Sequence, residues 1–142
     1  RGDRRRLDRR LRGRRLQRGR AGQPGLLRPL RGPAHQQNAL DFLKLIATRA
    51  HSKGLAIGQK NTTDFGTAGK AAGLDFAVAE ECGEWGECED FTDVYGGNVV
   101  AIEYSDSAYA TACSAVGGTI SVVRRDVLVT APGSKTYVYK EC

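Results

Sequence analysis

Phe76-Ala77-Val78-Ala79 is an unbroken apolar run that ends abruptly in Glu80-Glu81-Cys82. It is too short for a stable helix, and Asp75 in front and two carboxylates behind close it off. Such a run reads as a strand covered on both faces, which places it in a parallel sheet. Gly83 to Cys88 follows as a loop. In open and closed parallel sheets alike, chemistry gathers where a strand gives way to its loop.

The rest of the domain repeats this pattern. Leu40, Leu43, Ile46, Ala47 and Ala50 recur at helical spacing, and Gly54 ends that helix. Leu55 to Gly58 reads as a short strand running into Gln59-Lys60-Asn61, and Ala68 to Ala72 as a short helix. After the central strand, Phe91 to Tyr95 reads as a helical turn and Asn98 to Ile102 as a second apolar strand, followed by Glu103-Tyr104. Ser107 to Val116 is a helix, Thr119 to Val123 a strand running into Arg124-Arg125, and the tail from Leu128 holds one more extended piece. Regular alternation with short connections implies an α/β fold with a parallel sheet. Polar residues follow each of the first strands, so one rim carries the chemistry. That is the pattern of a (β/α)₈ TIM barrel, with text for roughly its second half. A dinucleotide-binding fold is disfavoured, because no G-x-G-x-x-G follows a strand.

The net charge of +6 averages two unlike parts. Thirteen Arg against two Asp make residues 1–34 +11, whereas nine basic against fourteen acidic residues make 35–142 −5. The chain therefore divides into an Arg-rich segment, 1–35, and a domain, 36–142. By composition the first part is disordered. Its functional reading is a nucleic-acid-binding arm, although no aromatic residue is interleaved for base stacking. The favoured explanation is a coding sequence read out of frame. Back-translated and read one nucleotide later, Leu16 through Gln36 permits C-N-A-V-E-P-D-N-L-D-S-Y-D-R-S-E-G-L-L-T. No run is apolar enough to cross a membrane. No signal peptide is visible.

Four cysteines remain, Cys82, Cys88, Cys113 and Cys142. Cys82 and Cys88 lie close enough across a Gly-containing loop to bridge, and an even count in an acidic, Gly-rich domain fits an exported, disulfide-bonded protein. A zinc site is the weaker rival: there is no Cys-x-x-Cys, and His35 and His51 are far from the cysteines in sequence. No metal or cofactor is expected.

Gly54-Leu55-Ala56-Ile57-Gly58-Gln59-Lys60-Asn61, Asp75 to Cys82 and Val100-Ala101-Ile102-Glu103-Tyr104 together resemble successive strand ends of glycoside hydrolase family 114, the endo-α-1,4-polygalactosaminidase-like TIM barrels. The resemblance covers about residues 36–125. It extends to G-C-x-x-V-E-P-D-N-x-D, a family motif that the written chain lacks and the shifted reading of Leu16 to Leu26 permits. The resemblance implies a secreted glycosidase acting on an amino-sugar polysaccharide, with neither nucleic acid nor membrane as partner. Such cleavage needs two carboxylates. Glu80 is the candidate acid/base, its pKa raised toward the working pH by low hydration, with Glu81 as the fallback. Lys60 and Asn61 would orient the carboxylates or bind sugar hydroxyls. Glu103 would bind the sugar by charge and Tyr104 by stacking, with Trp85 and Tyr95 as platforms along the groove. Cys82 and Cys88 would pin the loop after Glu80. The second carboxylate, the Asp of E-P-D-N, is missing, so little activity and poor folding are expected of this chain.

Overall fold

A computed structural model describes residues 33–142. The Arg-rich segment, its expected disorder and the shifted motif lie outside the described residues.

The elements in order are α1 (Pro33–His51), β1 (Gly58–Lys60), α2 (Gly66–Ala71), β2 (Phe76–Glu80), α3 (Cys82–Trp85), α4 (Cys88–Tyr95), β3 (Val99–Glu103), α5 (Asp106–Val116), β4 (Ser121–Arg125) and β5 (Tyr139–Glu141). They build one five-stranded sheet in the order β1-β2-β3-β4-β5. The first four strands are parallel, and β5 returns antiparallel to β4. The mixed α/β class with a parallel sheet is thus as expected, and the tail supplies the exception. Parallel neighbours need a helical crossover, whereas β5 follows β4 through a connection with no helix.

Register assigns each strand residue to a face. Gln59, Ala77, Ala79, Val99, Ala101, Glu103 and Val122 are buried on the helix-covered side. Alanines at this layer let the helices approach the sheet closely, and the core is completed by Cys82, Cys88, Phe91, Tyr95, Ala112 and Val116. The alternate residues Val78, Val100, Ile102 and Val123 face the other way, and Val100 is 38% exposed. Strands whose two faces are both apolar are built to be covered twice.

Among the boundaries that differ from the sequence reading, three bear on the site. The first strand is Gly58–Lys60 rather than Leu55 to Gly58. Pairing starts where Gly58 meets Phe76, and Leu55 remains exposed in the approach. The last parallel strand runs on through Arg124 and Arg125, because both guanidinium groups find partners: Arg124 pairs with Asp106, and Arg125 donates to the carbonyls of Thr130 and Val138. The segment after Glu81, read as a loop, contains the single-turn helix α3.

Two disulfides fasten the domain. Cys82–Cys88 closes the segment containing α3, and Cys113–Cys142 ties α5 to the end of the chain.

Candidate active site

Lys60, Asn61, Glu80 and Tyr104 converge at the C-terminal rim of the parallel strands. Glu80 ends β2, and its carboxylate is held at both oxygens. The Lys60 ammonium lies 2.6 Å from Oε2, and the Tyr104 hydroxyl donates to Oε1 at 2.7 Å. The backbone N–H of Glu80 donates to Asn61 Oδ1 at 2.7 Å. The side chain is one-quarter exposed, so the group is shielded yet reachable.

This clamp overturns the expectation of a raised Glu80 pKa. Burial does push the carboxyl up and is the largest single influence, but hydrogen bonds from Lys60 and Tyr104 together with the Lys60 charge outweigh it. The net direction is downward, and Glu80 is ionised at neutral pH. Tyr104 responds in the opposite sense: burial first, then its bond to Glu80, hold its phenol far above the ordinary tyrosine value. It remains a donor throughout the working range.

A network not singled out from the sequence sets the clamp. Asn61 and Thr62 both adopt positive φ, at 51° and 50°, which is uncommon for residues with a side chain. Gln59 Nε2 donates to the carbonyls of both residues. Gln59 Oε1 in turn accepts from Tyr95 at 2.8 Å in the buried layer between sheet and helices. A glutamine directly after an apolar stretch was the available signal, since a buried amide needs partners. Tyr95 is therefore not a groove platform. It is 3% exposed, and its hydroxyl secures the turn that carries Asn61.

Glu103 requires a second correction. Adjacent residues of a strand point to opposite faces, so Glu103 and Tyr104 do not share a groove. Tyr104 turns to Glu80, whereas Glu103 is fully buried on the helix side and accepts the Gly83 N–H at 2.7 Å. It is not placed to meet a sugar.

Glu81 follows in the left-handed region, φ 61°, with its N–H bonded to Ile102 O at 2.9 Å. Trp85 closes α3 and is 45% exposed. The Cys82–Cys88 bridge pins the segment as the spacing suggested. Cys82, Cys88 and Glu103 offer donor atoms within 4.8 Å of one another, but both sulfurs are joined in the disulfide and are not thiolate ligands. His51 is engaged with Asp75 at 2.9 Å.

A carboxylate held at both oxygens at the C-terminal end of a parallel strand is the centre of this rim. The chain belongs to Glycoside-hydrolase family GH114, whose profile matches residues 30–142. Its fold is similar to the TIM barrel in the crystal structure of Aspergillus fumigatus Ega3 in complex with galactosamine, with a TM-score of 0.59 and 21% identity. That likeness covers 75% of this chain and 46% of the Ega3 chain, so this chain spans about half the length of its relative. A comparison with curated proteins gives no match.

Proposed function

We propose that this site belongs to a glycosidase that cleaves α-1,4-linked galactosamine polymers, with Glu80 as one of its two carboxylates. The observation that carries this reading is the double clamp of Glu80 by Lys60 and Tyr104 at the strand end. Hydrolysis of a glycosidic bond needs one group to protonate the departing oxygen and one ionised group to attack the sugar or to activate water. With both oxygens held by donors, Glu80 suits the ionised role. The proton donor is then the partner carboxylate, which the 142 written residues do not spell as E-P-D-N. Glu81, one residue on, is the second candidate of this rim.

Two observations support an amino sugar. The domain carries an acidic balance of −5, which suits a cationic polymer. The Ega3 crystal holds galactosamine, and this chain has a similar fold. Trp85 offers a flat apolar surface of the kind sugar rings stack on. Two disulfides fit an exported protein that meets its polymer outside the cell.

Because paired carboxylates act as a unit, the chain as written binds the sugar without cutting it. Titration calorimetry with galactosamine oligomers tests this. The expected result is saturable binding that weakens at least about tenfold in Glu80→Gln, the loss of one charge-assisted contact. Equal binding by the variant would remove Glu80 from the site.

A further inference from the structure

We propose that Glu103 is a positioning residue of this rim: its buried carboxyl group, fastened to Gly83, fixes the turn from which Glu80 and Glu81 project. The turn is short. Glu81 stands at the N-cap position of α3 in a left-handed conformation and makes no side-chain cap. The exposed amides at the start of that helix need an acceptor. Glu103 provides it from the neighbouring strand, with Oε1 accepting from Gly83 N at 2.7 Å. Gly83 cannot retreat, since a Cβ at that position would stand 2.3 Å from Ala108 O and 2.9 Å from Ala112 Cβ. The Cys82–Cys88 bridge closes the other side. Glu80 and Glu103 thus sit on opposite faces of the sheet, joined through three backbone residues.

The second oxygen decides the charge state. Glu103 Oε2 is buried and has no hydrogen-bond partner among the described residues. An ionised carboxylate there would leave that oxygen uncompensated. The charged groups that face it do not help. Glu81 and Glu84 are negative and oppose ionisation. Arg124, its register partner on β4, is engaged by Asp106 and the Arg125 carbonyl, and Lys140 also turns to Asp106. The residues of α5 against the turn are Ala108 and Ala112, and α4 brings Cys88 with the acidic Glu89 and Asp90 behind it. Burial first, then the charges of Glu81 and Glu84, raise the group above its ordinary value, with the backbone amides of Gly83 and Glu84 pulling the other way. Glu103 therefore keeps its proton to a higher pH than an exposed glutamate does.

Carbon-detected NMR of the carboxyl groups of the 142-residue chain tests this, with Glu103→Gln and Glu103→Ala alongside. One glutamate carboxyl should titrate above 4.5, the ordinary value, and the amides of Gly83, Glu81 and Glu80 should move with the same midpoint. In Glu103→Gln that midpoint should vanish while the Gly83 amide stays protected. In Glu103→Ala the Gly83 amide should exchange roughly tenfold faster, the loss of about one hydrogen bond. A Glu103 midpoint at or below 4.5, or Glu80 and Glu81 signals indifferent to that midpoint, would overturn the inference. The inference rests on the glycosidase reading only in calling this rim functional. If the unaltered chain fails to bind galactosamine, the amino-sugar reading falls and the titration still decides the role of Glu103.

Discussion

At the scale of the residue, the two glutamates that flank the rim have opposite electrostatics despite lying one strand apart. Glu80 faces a cation and a hydroxyl; Glu103 faces backbone amides and two acidic neighbours. Linkage gives each a signed consequence. A lowered carboxyl such as Glu80 contributes stability that is present above its unfolded value and is lost as pH falls through the folded one. A raised carboxyl such as Glu103 acts the other way: stability is full below the ordinary value of 4.5 and declines as pH rises through the folded midpoint. Lys60→Met separates the two. It should raise the Glu80 carboxyl midpoint in an NMR titration and leave that of Glu103 in place. Because Lys60 is half exposed, the stability cost should be small, about 0.2–1 kcal/mol. An unmoved Glu80 midpoint would mean that the ion pair does not set its charge.

At the scale of the element, α3 is four residues long and contains a glycine against which α5 packs directly. No intrinsic propensity holds such a helix. It exists because Glu103, the disulfide and the α5 backbone hold it. Gly83→Ala should therefore destabilise the domain by about 1–3 kcal/mol, the cost of overpacking, as a lower urea midpoint at unchanged slope. A neutral substitution would show that the close approach is not needed. The same element shows what the sequence can and cannot reveal. β2 and β3 were legible because a continuous apolar run closed by a glutamate has few alternatives. α3 was not, since its stabilising partners are distant in sequence. The gathering of Lys60, Asn61 and Tyr104 around Glu80 follows from parallel register, which alternation of strands and helices already implies. The burial of Glu103 was also available in principle, because strand neighbours alternate faces. What hid it was its position beside Tyr104 in a polar strand end. The Gln59–Tyr95 bond joins residues 36 apart, and no local pattern announces it.

At the scale of the whole molecule, one face of the sheet is covered by helices and the other carries Val78, Val100, Ile102 and Val123 without a second layer among the described residues. β1 stands at one edge of the sheet, paired only with β2 among the described residues. In a closed barrel the remaining strands would cover both, and the 46% coverage of the Ega3 chain measures how much of such a barrel this chain matches. The family match begins at residue 30, near the point where the Arg-rich composition gives way to the domain. The shifted reading of Leu16 to Leu26 would place E-P-D-N upstream of that boundary, ahead of α1. The proposed reading pairs the clamped Glu80 with a carboxylate that the shifted reading would supply upstream. The measurement that bears on this most directly is the release of reducing ends from α-1,4-polygalactosamine, by the 142-residue chain and by the product of the same locus with that frame restored. The expected result is no turnover by the first, turnover by the second, and loss of that turnover on Glu80→Gln. Cleavage by the chain as written at the rate of the restored product, or a restored product indifferent to Glu80→Gln, would contradict it.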